Sequence, residues 1–315
     1  MEKLLAPVII PTLNRYDHLK RCIESLERCT GVEYTKLYVG LDYPPSAKYE
    51  EGWKKVHQYL QYKCKNNKFN EIVILEKDTN LGAVKNIEEL ETFISQKYGR
   101  FIFTEDDNEF SPNFLDFINQ GLERYKDDQN VYAICGYNYP IDMSGYNKNY
   151  YFSHEYSAWG FGCWSEKFIT VNRFLSQDNY LASFCRQQPI SAFTRNNCRL
   201  LPFVRYINKG FLGDVCITTF LQSNNYFCVF PKVSMVRNWG HDGSGVNCGE
   251  MDPKASKIYE QQEIQCSKTF EFGNSLEKIV PESVNIELQK FFSSPFKTNA
   301  KSLFLLIILK LKFWK

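Results

Sequence analysis

The sequence predicts an α/β protein with a mostly parallel central sheet flanked by helices. Short apolar runs alternate with stretches of helical periodicity over the first 136 residues, the pattern of successive βαβ units. Each run is closed by turn-forming or polar residues. Apolar residues make up 43% of the 315 and charged residues 23%, which suits a chain with a large buried core and excludes a disordered one.

The elements follow in order. Ala6 to Pro11 is an apolar run ended by the Pro-Thr-Leu-Asn-Arg turn at residues 11–15. Leu19, Cys22, Ile23 and Leu26 share one helical face. Lys36 to Leu41 predicts a second strand, stopped by Asp42 and the Pro44-Pro45 turn. Trp53, Val56, Leu60 and Cys64 mark another helix, and Glu71 to Leu75 a third strand. Asn80-Leu81-Gly82 opens a helix through Val84, Ile87, Leu90 and Ile94. Phe101-Ile102-Phe103 is a fourth, fully apolar strand. Ser111-Pro112 offers an N-cap residue followed by Pro at the first helical position, so a helix is predicted to start there. Val131 to Cys135 is a fifth strand. Past residue 137 the pattern loosens into Tyr- and Asn-rich loops, a helix over 213–221, a strand over 226–230 and a Gly-rich polar loop over 237–249. No internal repeat is visible.

Ligands of parallel α/β sheets bind beyond the carboxyl ends of the strands. The residues that close these strands therefore belong on one edge: Thr12, Asn14 and Arg15; Asp42; Lys77 and Asp78; and Glu105 to Asp107. Other classes are disfavoured. A net charge of +2, with no long basic run before the last few residues, weighs against a nucleic-acid partner. Eleven cysteines without a C-x-x-C, and with no signal peptide before the first strand, predict reduced cytoplasmic thiols used as small apolar groups. Aromatics at 16% fill the core and also suit a site that stacks sugar rings or bases.

Glu105-Asp106-Asp107 is the feature that carries chemistry. Three adjacent carboxylates at a strand end repel one another and are costly without a cation. A hard divalent ion such as Mn²⁺ or Mg²⁺ resolves this and would also hold a diphosphate. An acidic, solvated turn is the alternative; placement on the edge shared with Arg15 and Asp42 favours the site.

At this point the sequence resembles the GT-A-fold glycosyltransferases, especially bacterial family-2-like sugar transferases. It is more distantly similar to the enzyme that adds the first N-acetylglucosamine to N-glycans. The resemblance rests on residues 7–15, Asn80-Leu81-Gly82, residues 103–107, Trp159-Gly160-Phe161 with Trp164, and residues 231–233 continuing to 240–245. It implies a Rossmann-like GT-A sheet and a nucleoside-diphosphate sugar donor, a UDP-sugar first among them. Pro11, Thr12 and Arg15 would line the nucleotide pocket. Asp42 would accept hydrogen bonds from base or ribose, or serve as a strand-end turn residue. Lys85 or Asn86 would reach the diphosphate or sugar, with a solvated helix face an equal account of Lys85. Glu105 and Asp106 would contact ribose or donor sugar, and Asp107 would ligate the metal, completed by His241 or leaving that histidine in a solvated loop. Asp214 would take the acceptor's proton, or merely favour a helix N-terminus, with Glu166 and Asp178 as weaker contenders. Trp159, Phe161, Trp164 and Trp239 offer aromatic faces or core packing.

The expected organisation is a catalytic domain over 1–250, with a nucleotide-sugar half to 136 and an acceptor half over 137–250, then a helical extension over 251–300 and a basic, apolar tail over 301–315. Ser302 to Leu309 is far shorter than the roughly 20 residues of a spanning helix. Its lysine and Trp314 flanks suit an anionic membrane surface, and docking on the body is the alternative. The function expected is inverting, metal-dependent sugar transfer to a glycan acceptor, lipid-linked in bacterial capsule or O-antigen assembly, at the inner face of the membrane. Two other classes stand beside it. A sugar-phosphate nucleotidyltransferase would carry a glycine-rich loop after the first strand, where this chain has none. A non-catalytic carbohydrate-binding protein of the same fold would have no need of the acidic triplet and Asp214.

Overall fold

A computed structural model describes residues 4–177, 179–209, 213–245 and 253–311. The first half follows the predicted alternation: β1 (Val8–Thr12), α1 (Tyr16–Leu26), β2 (Lys36–Leu41), α2 (Ala47–Lys65), β3 (Glu71–Glu76), α3 (Ala83–Lys97) and β4 (Arg100–Phe103). Then come β5 (Asn108–Phe110), α4 (Phe114–Arg124), β6 (Val131–Cys135), β7 (Tyr150–Ser153) and β8 (Phe161–Trp164). A helical insert follows: α5 (Ser165–Leu175), α6 (Tyr180–Gln187), α7 (Ile190–Cys198) and a 3-10 stretch (Leu201–Lys209). It leads into α8 (Gly213–Asn224), β9 (Phe227–Pro231), β10 (Val236–Asn238), α9 (Pro253–Glu260), α10 (Glu282–Phe291) and α11 (Phe296–Leu311).

Eight strands form one sheet in the order β3-β2-β1-β4-β8-β6-β9-β7. Six run the same way; β8, between β4 and β6, and the edge strand β7 run against them. The sheet is thus α/β and mostly parallel, as expected, and it runs unbroken across residue 136. Period-two alternation feeds two cores. Val8, Ile10, Val39 and Ile102 face α1, α2 and α4, while Ile9, Tyr38, Phe101 and Phe103 face α3, α5, α8 and α10. Each fully buried side chain of this kind stabilises the fold by about 1.5–3 kcal/mol relative to exposure.

Three local expectations fail. The helix after Ser111 begins at Phe114, with Asn113 at its N-cap position. Ser111 is instead held by its backbone N–H to Met235 and donates its hydroxyl to Asn113, because it extends β5, which pairs antiparallel with β10. Val84 lies exposed, and Asn86 takes the buried position on α3. Residues 261–281 contain no helix. They run back over α4, where Phe270 and Phe272 pack against Phe117 at 4.7 and 5.2 Å between ring centroids. The ten cysteines among the described residues are free thiols, seven of them buried.

The C-terminal helix docks on the body. Leu306 of α11 enters a small third core with Phe184, Cys185, Phe193, Leu201 and Val204. Lys310 Nζ donates to the carbonyls of Arg186 and Gln188 at the end of α6, a favourable place for a cation. No helix among the described residues is long and apolar enough to cross a membrane.

Candidate functional site

Parallel register places the ends of β1, β2 and β3 side by side, with Thr12 opposite Leu41 and Leu41 opposite Glu76. The chain leaving β4 brings Glu105, Asp106 and Asp107 to the same edge. At the floor of this edge, Thr12 Oγ1 donates to Asp106 Oδ2 at 2.7 Å. Arg15, the residue preceding α1, pairs with Asp106 and, at 2.9 Å, with Asp107. The cation that the triplet requires is thus already partly supplied by the chain itself. Burial works to lower the Arg15 pKa, but Asp106 and Asp107 outweigh it and hold the guanidinium firmly charged. Desolvation pushes Asp106 upward, with Arg15 and Thr12 opposing. Glu105 is pushed well above the carboxylate range by desolvation, then by Asp107, Asp214 and Asp106.

That influence shows Asp214 to lie near Glu105 in the fold, although the two are 109 positions apart in sequence. Asp214 sits in the first turn of α8 and is exposed. Desolvation by the protein around it pushes its carboxyl up to about 6, against a hydrogen bond from the backbone N–H of Ala158. Trp159 follows directly. It reaches this edge because β8 runs antiparallel, so the start of β8 lies where its neighbours end.

The same reversal carries other candidates away. Trp164 at the end of β8 lies opposite Arg100, at the start of β4, with Lys167 Nζ 3.8 Å from its ring centroid. Glu166, in the next turn, lies at that far edge beside Tyr98 and Gly99, so it cannot serve the carboxyl edge. Phe161 is core. Asp178 lies outside the described residues.

The roof is a loop held by β10. Asn238 Nδ2 donates to Asp107 Oδ1 and Asn108 Oδ1, each at 2.9 Å, while its own Oδ1 accepts from the Gly240 N–H. A Cβ on Gly240 would lie 2.2 Å from Asp107 Oδ2, so only glycine lets the loop close on the carboxylate. His18 of α1 ties the loop down through Asp242 at 3.0 Å and Ser244 at 3.2 Å. His241 is buried, with its ring stacked on Tyr259 at 4.4 Å and edge-on to Trp159 at 5.6 Å. Neither of its ring nitrogens has a hydrogen-bond partner. Desolvation lowers its pKa against the pull of Asp107, Glu260 and Asp242, which favours a neutral imidazole with a free lone pair. Trp239 turns away, its ring under Arg21 and its Nε1 on Glu109.

Two expected contacts are engaged by the protein instead. Asp42 is buried and accepts from the backbone N–H groups of Tyr43, Leu81 and Gly82, each at 2.9 Å, and from Asn80 Nδ2 at 3.2 Å. Its lone pairs are filled, and it fastens the Asn80-Leu81-Gly82 turn rather than waiting for a base. Asn86 is buried under β2, donating to the Gly40 carbonyl at 2.9 Å. Lys85 stands on the solvated side of α3, and Pro11 is half-buried in β1. Sequence reasoning overlooked Asn238, His18 and Tyr259. The roof they build is held by contacts between distant segments, and no local pattern announces it.

Among the described residues no cluster of three or more His, Cys, Asp or Glu side chains forms a metal cage. No protein-family model matches the sequence, and no curated protein matches it. Among solved structures, the chain is similar to the mannosyltransferase PcManGT from Pyrobaculum calidifontis in complex with GDP-Man and Mn²⁺, at 8% identity and a TM-score of 0.38, over 71% of this chain and 70% of that one. It is also similar to S. aureus TarS 1-349 in complex with UDP, at 13% identity and TM-score 0.38, over 58% of this chain and 54% of that one. A further S. aureus TarS structure matches at 10% identity and TM-score 0.37, over 68% and 41% of the two chains.

Proposed function

We propose that this protein is a glycosyltransferase that moves a sugar from a nucleoside-diphosphate sugar, a UDP-sugar first among them, to a hydroxyl of a glycan acceptor. One observation carries the reading: the Arg15-clamped pair Asp106–Asp107 stands at the carboxyl edge of the sheet, with Asp214 near enough to bear on the charge of Glu105 beside it. Asp214 takes the proton of the acceptor hydroxyl as its oxygen bonds to the anomeric carbon. The bond from that carbon to the diphosphate breaks, and its electron pair leaves with the nucleoside diphosphate. A base near pKa 6 on the face away from the leaving group suits an inverting transfer. Trp159 supplies an apolar face for a sugar ring, and Thr12 and Arg15 orient the acidic floor.

A divalent ion, Mn²⁺ or Mg²⁺, fits the residues present. Asp107 and one ring nitrogen of buried His241 would be its protein ligands, with diphosphate oxygens and water filling the remaining positions, as such ions accept. When bound, the ion would neutralise the leaving diphosphate. Arg15 is then free to turn from Asp107 to the phosphates, which is the role a planar guanidinium fits. The acceptor we favour is a lipid-linked glycan of bacterial surface-polysaccharide assembly, met at the inner face of the membrane.

The test is a panel of nucleotide sugars read by thermal shift with and without Mn²⁺. One donor should raise Tm by several degrees, about 2.7 kcal/mol of linkage at one hundred times its Kd. Chelation, or Asp107→Ala, should remove most of that rise. Equal stabilisation after chelation would remove the metal from the scheme, and no response to any donor, with no donor turnover, would leave only a binding module.

A further inference from the structure

Helix α11 is apolar on two opposite sides. Ser302 and Leu306 are buried against the helical insert, whereas Phe296, Phe304, Ile307 and Leu311 are 85%, 64%, 39% and 63% exposed. With Ala300, these four recur at spacings of four, four, three and four residues, so they form one continuous outward stripe. Lys297 and Lys301 flank it, both exposed. Over residues 282–315 the sequence holds six lysines against Glu282 and Glu287. Glu287 pairs with Lys290 and Lys310 is docked on the end of α6, so among the described residues Lys297 and Lys301 are the exposed lysines beside this apolar surface.

We infer that this outward stripe rests in the interface of an anionic lipid bilayer, with α11 lying along the surface. A sixteen-residue helix is about 24 Å long, too short to cross the hydrocarbon core but suited to lie in its plane. A second copy of the chain fits the surface poorly. A two-fold contact would set the same lysines against one another, while anionic headgroups neutralise them. The docked side fixes the orientation. Leu306 and Lys310 bolt α11 to α6 and to the 3-10 stretch, the insert that leads into α8 and Asp214. Seating α11 on a membrane therefore holds that insert next to the lipid, and brings a lipid-linked acceptor to it. The bilayer contact stands on α11 alone, and only the statement about the acceptor rests on the proposed glycosyl transfer.

The experiment is sedimentation of the full chain with vesicles of phosphatidylcholine, alone or mixed with phosphatidylglycerol. Binding should require the anionic lipid and weaken as salt rises. Phe304→Glu with Ile307→Glu should reduce it by at least tenfold, on the order expected from burying two large side chains. Lys297→Glu with Lys301→Glu, which leaves the apolar stripe whole, should reduce it by about fivefold per lysine. Unchanged binding in both variants, or no binding by the parent chain, overturns the inference. So does a parent that sediments as a dimer and turns monomeric on Phe304→Glu without touching vesicles. Donor-induced thermal shift in solution should be the same in all variants. Its absence throughout, with vesicle binding intact, would count against the glycosyl-transfer reading and leave the membrane surface standing.

Discussion

Asp214, the base of the proposed transfer, carries its charge at a cost to the fold. Surrounding protein raises its carboxyl to about 6. A folded-state pKa above the unfolded one means that the native state binds this proton more tightly, so its stabilising effect is complete in acid and is lost as pH rises through 6. Asp214→Asn should therefore raise Tm at pH 8, with the gain vanishing by pH 4. The same change should lower kcat by roughly 10²–10⁴-fold. Wild-type turnover should fall as pH drops through about 6 because the base is protonated, and the variant's residual rate should lack that inflection. A variant with normal turnover would place the base elsewhere. Arg15 makes the complementary point. The sequence shows three carboxylates in want of a cation, and folding brings one from 91 residues upstream.

At the scale of elements, short polar segments position the site. Asp42 gathers two backbone N–H groups from the turn before α3, so the turn's shape depends on a residue at the end of β2. Asp42→Ala should destabilise the protein by at least about 2 kcal/mol in urea denaturation, since charge-assisted bonds to buried donors are lost together. Asp42→Asn, which keeps one acceptor oxygen, should cost clearly less. Equal stability of Asp42→Ala and wild type would show that water replaces the carboxylate. The β5–β10 pair has the same character: three residues on each side suffice to set Asn238 against Asp107 and to hold Gly240 and His241 over the floor.

Across the whole molecule, a buried pair joins the helical insert to the sheet. Glu155, just after β7, pairs with Arg199 between α7 and the 3-10 stretch, and also accepts from Gln222 of α8 at 3.3 Å. Arg199→Ala strands a buried carboxylate and should cost about 3–5 kcal/mol, with unfolding shifted to lower urea. Replacing both partners by apolar residues should recover much of that loss, and a cost no greater than for a surface pair would show that water reaches Glu155. The insert thereby lies between α8, which carries Asp214, and α11, so the proposed transfer and the inferred surface attachment would share a support.

By itself the sequence determined five parallel strands, their helices and the edge on which Thr12, Asp42 and Glu105 to Asp107 emerge. The helices bury stripes long enough to show their period, and the strands between them are short apolar runs of four to six residues closed by polar or turn residues. Only the tertiary structure decided that β8 runs backwards, which brought Trp159 to that edge and removed Trp164 and Glu166 from it. Only folding showed that Asp42 accepts its hydrogen bonds from neighbouring segments, that Asn86 is buried and donates to the Gly40 carbonyl, and that His241 is buried in the loop held by Asn238. Strand direction and hydrogen-bond partners depend on residues far apart in the chain, and local periodicity carries no record of them.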